Sequence, residues 1–233
     1  MEPRTFDYLD PPVPSGLRVI DVPLIDASEA SLKGYGEIVR DPHRHRVEIV
    51  KWPVRGWRTL DAGTGDEGGT TEGVFACDWR GNRLFGRNEA VGGHYVIGFR
   101  QPPGSDAARA LEGVAGAGIG GEAAVPARVL LWHANYHPDG GQLFWPLDGQ
   151  PFVVPVAPPG DDVKPEQFVA FRSDGTFGIY IHPDIWHEGT FPITPGGRFF
   201  DKQGKVHARV SVDLAAEFGV LLSVPLTAPG GLL

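Results

Sequence analysis

Apolar residues in this chain come in short runs, and clusters of Gly, Pro or Asp separate most of them. The runs are VFACDW at 74–79, HYVIGF at 94–99, RVLLWH at 128–133, QPFVVPVA at 150–157, EQFVAF at 166–171, TFGIYIH at 176–182 and ARVSVDL at 208–214. Runs of that length between turn residues suit strands and are too short for most helices. Gly 33 and Pro 22 make up nearly a quarter of the 233 residues, about twice the usual share of roughly 12%. No G-X-Y period accompanies them, which excludes a collagen-like chain. The pattern predicts a mainly β chain, an antiparallel barrel or sandwich. LRVIDVPLI at 17–25 adds strand-like alternation, Tyr35–Val39 is extended, and GVLLSVPL near the end suits a last strand. Two short helices are expected. One covers Asp26–Lys33, with Asp26 as N-cap, Glu29 at capping-box spacing and Gly34 as the stop. The other, weaker, lies within residues 104–118.

Residues 1–17 are proline-rich and polar and read as an extended arm. Nothing after them resembles a linker, so residues 18–233 are expected to form one domain. The stretch DAGTGDEGGTTEG at 61–73 is glycine-rich but lacks the lysine and spacing of a phosphate loop. It reads as a mobile loop, and the segment 61–93 as an insertion able to cover a pocket as a lid. The net charge is −8, with 29 carboxylates against 21 Lys and Arg, which argues against a nucleic-acid partner. Cys77 stands alone, so there is no internal disulfide framework or cysteine-based zinc site, and it reads as a small buried hydrophobe. MEPRTFDYLDPPVPSG has no apolar core of the kind a signal peptide needs, and no run approaches a membrane span. A cytoplasmic location is the expectation.

Chemistry is concentrated in the histidines. Two groups stand near strand ends: Trp132-His133-Ala134-Asn135-Tyr136-His137-Pro138-Asp139-Gly140-Gly141-Gln142, and Ile181-His182-Pro183-Asp184-Ile185-Trp186-His187-Glu188. Asn135 and His137 are two residues apart and share one strand face. Four residues separate His137 from Gln142, and Gly149 follows after six more. This spacing resembles the first motif of the small-barrel cupins, with Asn135 and Gln142 where His and Glu are usual. His182–His187 is similar to their second motif, a turn followed by a His. Neutral amides are weaker ligands for first-row metals than imidazole or carboxylate. The expectation is a cupin-like pocket with no required cofactor. A divalent metal, if held, would draw on His133, His137, His182 and His187, with His207 as a further replacement ligand.

The order of motifs resembles one branch of the cupins, the ureidoglycolate lyase family. PLIDASEASLKGYGEIV at 23–39 resembles its opening strand-helix-strand segment, and Ile97-Gly98-Phe99-Arg100-Gln101-Pro102 a later strand end. Asn135-Tyr136-His137-Pro138, Gln142 and Phe144-Trp145-Pro146-Leu147 are similar to its Glu-Arg-His-Pro, Gln, Phe and Pro. Tyr180–His187 resembles its closing Trp-His signature, and Val212-Asp213 an Ile-Asp near the end. The chain departs from the pattern at Asn135, Glu188 and Leu214. It is longer than typical members, mainly through 1–17, 40–93 and 103–127.

The resemblance implies a carbon–nitrogen lyase of allantoin breakdown, which splits ureidoglycolate into glyoxylate and urea. Such a reaction needs a base for the hydroxyl, an acid for the departing nitrogen and an anchor for the carboxylate. His137 and His187 are the candidate acid and base, since imidazole titrates near neutrality. Gln142 would orient the ureido group and Asn135 the hydroxyl, as amides both donate and accept. Arg100 reads either as a bidentate carboxylate clamp or as a surface ion pair. Glu188 and Asp213 would orient a histidine or move a proton, or are structural. His133 and His182 are candidate substrate-binding residues. Trp132, Trp145, Trp186 and Phe144 read as core or pocket wall. A metal-dependent cupin isomerase or dioxygenase and a non-catalytic acid-binding cupin are the alternatives. The expected partners are a small carboxylate and, as a homodimer, a second copy of the chain.

Overall fold

The computed structural model describes residues 5–65, 67–112, 125–206 and 208–227. Within them the chain forms two facing sheets and little helix. The first sheet has ten strands, in the spatial order β1 (Arg18–Asp21), β17 (Val220–Pro225), β7 (Arg128–Leu131), β6 (Gly93–Phe99), β5 (Arg83–Asn88), β4 (Glu67–Arg80), β15 (Arg198–Val206), β9 (Gln142–Pro146), β12 (Gly178–Ile181) and β3 (Gly36–Val39). The second runs β16 (Val210–Asp213), β8 (His133–Tyr136), β13 (Trp186–His187), β10 (Phe152–Ala157), β11 (Val169–Ser173) and β2 (Leu24–Asp26), with β14 (Phe191–Pro192) also paired to β10. Pairing is antiparallel except for β1 with β17 and β2 with β11. Neither sheet closes on itself. The mainly β expectation is met, in its sandwich form.

The apolar runs behave as their composition requires. Phe75, Ile97, Leu131, Phe144, Ile179, Phe199 and Leu222 from the first sheet pack in one core with Ala134, Phe152, Val154, Phe171, Trp186 and Val212 from the second. A smaller cluster of Val96, Phe99, Leu130, Trp132 and Leu221 receives Phe6, Tyr8, Val13 and Leu17 from the amino-terminal segment. That segment is therefore packed onto the sheet. Cys77 is buried and its thiol donates to Thr190 O at 3.3 Å, as a small buried hydrophobe would.

Of the two expected helices, one forms: α1 covers Asp106–Glu112. Part of the 104–118 and 103–127 stretches lies outside the described residues, as does His207. The helix expected at 26–33 is instead a series of turns. Asp26 ends β2 and pairs with Arg172 at 2.7 Å rather than capping. Ser28 and Ser31 bond to each other's backbone N–H at 3.1 and 2.9 Å. These short side chains offer the backbone a turn in place of a helix. A second helix, α2 (Leu214–Phe218), joins the two runs read as strands at 208–214 and 219–226, a stretch to which the sequence reading assigns no element. The glycine-rich stretch at 61–73 is non-strand only through Gly65. From Glu67 it belongs to β4, which pairs with β15 from Glu67 to Ala76. The segment 61–93 is thus largely sheet.

Candidate active site

Between the two sheets the apolar core gives way to a cavity of about 310 Å³. Alternation along β8 builds one wall. His133, Asn135 and His137 fall on one side and line the cavity, while Ala134 and Tyr136 join the core. β13 pairs with β8 so that His187 lies opposite Asn135, and Glu188 and Gly189 follow it along the wall. The other sheet contributes Asn88, Gly93, Tyr95, Gln142, Phe144 and Gln203. Val91, His94 and Val96 beside them, with Tyr8, the turn Ala62–Thr64 and Arg209, complete the lining.

His133 is 3% exposed. Its Nδ1 meets Glu188 Oε2 at 2.8 Å, while the other Glu188 oxygen accepts from Gly189 N at 2.8 Å. With Nδ1–H donating to the carboxylate, Nε2 carries the lone pair. That Nε2 is buried and has no hydrogen-bond partner among the described residues. An imidazole oriented by a carboxylate, with its second nitrogen uncommitted, is the arrangement of a general base.

His187 sits in a second polar chain. Its Nδ1 donates to the Ile185 carbonyl at 2.7 Å. Its Nε2 meets Gln142 Oε1 at 3.1 Å, an acceptor, so this contact bonds when Nε2 also carries a proton. The Gln142 amide nitrogen donates to Asp201 Oδ1 at 2.9 Å, and Gln203 donates to Asp201 Oδ2 at 2.6 Å. Asp201 is fully buried. Burial lifts its carboxyl to about 6, while the amides of Gln142, Asn88 and Gln203 hold it down. Burial pushes His187 below its usual value; the Ile185 carbonyl and Glu188 act in the other direction. His137 donates from Nδ1 to Ala208 O at 3.1 Å, and Ala208 N donates to Asp139 at 2.9 Å. This pair of bonds anchors the chain just before β16, next to Arg209. Arg209 Nε donates to Asp61 Oδ2 at 2.7 Å.

Of the residues expected from the sequence, the fold brings His133, Asn135, His137, Gln142, His187 and Glu188 together around this cavity. Three lie elsewhere. Arg100 has its guanidinium 4.3 Å over Trp79. His182 packs against Tyr180 and reaches Glu37 at 4.0 Å. Asp213 caps α2, accepting from Ala216 N at 2.8 Å, and borders a separate hollow beside Phe6 and Glu217. Among the described residues no group of three His, Cys, Asp or Glu is placed to hold a metal ion. Tyr8, Asp61, Asp201, Gln203 and Arg209 escaped sequence reasoning. A signal existed for two of them: Asp201 and Gln203 alternate within a strand-length stretch, RFFDKQGKV, and so share one face.

A model of the ureidoglycolate lyase family matches residues 122–212. A protein named ureidoglycolate lyase from Azotobacter vinelandii is 35% identical over 83 residues, covering 35% of this chain and 50% of the relative. One of the same name from Stutzerimonas stutzeri is 43% identical over 70 residues, 29% of this chain and 41% of the relative. A third, from Pseudomonas savastanoi pv. phaseolicola, is 36% identical over 84 residues, 35% of this chain and 49% of the relative. The chain thus spans half or less of the length of these relatives. The matched segment contains every histidine of the cavity wall described above except His94, together with Gln142, Glu188, Asp201 and Arg209. Over residues 122–212 this chain is similar to the ureidoglycolate lyase family, as the Asn135–Gln142 and Tyr180–His187 motifs led us to expect.

Proposed function

We propose that the cavity cleaves the C–N bond of ureidoglycolate, or a close 2-hydroxy acid relative, to glyoxylate and urea. One observation carries the reading: the buried His133, held by Glu188 at Nδ1 and unpartnered at Nε2, faces the same cavity as a second buried imidazole, His187. The reaction needs these two proton-handling groups. His133 Nε2 removes the hydroxyl proton, and Glu188 stabilises the imidazolium that forms. The C–O bond becomes the aldehyde carbonyl of glyoxylate as the C–N bond breaks. His187, in the imidazolium form whose Nε2–H is held by Gln142 Oε1, gives that proton to the departing nitrogen, which leaves as urea, and returns to the neutral ring that its burial favours. Atoms and charge balance without an oxidant or reductant, and the scheme calls for no metal. Arg209 replaces Arg100 as the carboxylate anchor, since Arg209 lines the cavity. Gln142 and Asn135 supply amides for the polar ends of the substrate. The family match and the curated relatives support the choice of substrate.

The test is product analysis with racemic ureidoglycolate, before and after EDTA, following glyoxylate, urea and ammonia separately. Glyoxylate and urea in equal amounts, without ammonia and unaffected by EDTA, is the expected result. Ammonia release would mean a hydrolase acting on the ureido group. No turnover would remove this substrate.

A further inference from the structure

Tyr8 lies more than fifty residues from any other cavity-lining position, and outside the family-matched segment. Its carbonyl accepts from Val96 N at 2.7 Å, which docks the amino-terminal segment on β6. Its hydroxyl donates to Asp61 Oδ2 at 3.0 Å, the oxygen that also receives Arg209 Nε and Ser211 Oγ. Its ring lies 4.6 Å from the centre of the Arg209 guanidinium. The same ring stands edge-on to His133, with centroids 5.3 Å apart and planes at 90°. Phe6 meets His133 from the same segment at 5.5 Å.

Arg209 is thus held at two places. Asp61 takes its Nε, and Tyr8 covers one face of its plane. Its two terminal nitrogens make no hydrogen bond among the described residues, and the side chain lines the cavity. A guanidinium fixed at its stem and stacked on one face presents those nitrogens as a ready fork for a carboxylate. A free arginine would have to give up rotamer freedom each time it bound one. We propose that Tyr8 is a positioning residue of the site, whose ring holds Arg209 ready for the substrate carboxylate against the same wall as His133. This rests on the reading of Arg209 as the anchor. It makes the amino-terminal segment part of the site and gives the ligand class as 2-hydroxy carboxylates, whose two polar groups sit on adjacent carbons.

The test uses the full chain with Tyr8→Leu, which keeps bulk and removes the π face, and Tyr8→Phe, which keeps the face and removes the hydroxyl. Binding of glycolate and of uncharged glycolamide is measured by calorimetry, and KM and kcat with ureidoglycolate. Tyr8→Leu should weaken glycolate binding and raise KM about tenfold, with kcat changed far less. Tyr8→Phe should recover most of this, and glycolamide binding should not respond to either change. A role in folding alone would lower kcat through the active fraction and leave KM unmoved, which would overturn the assignment. Equal glycolate binding by all three proteins, or none by the wild type, would overturn it as well. Tyr8-dependent glycolate binding without turnover of ureidoglycolate would leave Tyr8 in place and remove the lyase reading.

Discussion

Of the four imidazoles that line the cavity, His133 and His187 differ in what they face, and the proposed roles follow from that. His133 has a carboxylate behind it; His187 has an amide that relays to a buried carboxylate. His133→Asn should cost about a hundredfold to ten-thousandfold in kcat, the usual loss when a general base is removed. Glu188→Gln should fall between that variant and wild type, because the base stays but loses its orienting charge. Equal activity of His133→Asn and wild type would end the assignment. Asp201 gives a test that needs no substrate. Its carboxyl is raised from 3.8 to about 6, so the folded state binds a proton more tightly than the unfolded chain. A raised folded value means a contribution that is full below pH 4 and is lost as pH climbs through 6. The two-unit difference corresponds to about 3 kcal/mol at most. Asp201→Asn lacks this titration. Its stability relative to wild type should therefore improve by about 2 to 3 kcal/mol between pH 4 and pH 7.5, read from urea midpoints. A difference independent of pH would show that Asp201 titrates normally. Sequence reasoning reached Asn135 and His137 through strand spacing, which puts both on one face, and His187 through its place in the second motif, and it named His133 as a binding residue and not as a base. It missed Arg209 because the folding of distant segments onto one cavity supplies it and no local pattern encodes that, and it missed Asp201 because the alternation in RFFDKQGKV lies in a run too polar to stand out as a strand.

At the level of elements, legibility followed apolar composition. Each of the runs first read as a strand contains one, since alternating or continuous apolar residues must bury against the facing sheet. β5, β9 and β15 were passed over. β15 reads RFFDKQGKV because polar Asp201 and Gln203 take buried positions that core strands fill with apolar residues, so the strand looks like a loop. The short helix α2 was hidden for another reason. Its signals are two single residues, Asp213 as cap and Gly219 in the left-handed region at φ 65°. They enclose too few residues to show a helical period. The cap predicts a clear pattern: Asp213→Ala should lower stability by about 1 kcal/mol, and Asp213→Asn, also a good cap, should lose little. Thermal unfolding of the two variants distinguishes this from a role for the carboxylate charge, in which both would behave alike.

On the scale of the molecule, the site exists because two open sheets face each other with polar side chains on a limited part of the inner surface. β8 and β13 bring the histidines from one sheet, and β5, β9 and β15 bring the amides and Asp201 from the other. The cavity is therefore sensitive to how the sheets sit together. The segment 67–99, which lies outside the family match, is joined into the first sheet through β4 and β15, and β15 pairs in turn with β9 inside the match. The core cluster likewise draws residues from Val22 to Leu226. A core shared this widely should open as a unit. Trp79 on β4 and Trp186 on β13 report on different sheets. In urea, variants retaining only one or the other of these two indoles should give fluorescence transitions that coincide with each other and with loss of β signal in circular dichroism. Glycolate, if it binds in the cavity between the sheets, should move both transitions together to higher urea. Separate midpoints would mean that the sheets part before they unfold, and that the segment 67–99 is an accessory layer over an independently stable core.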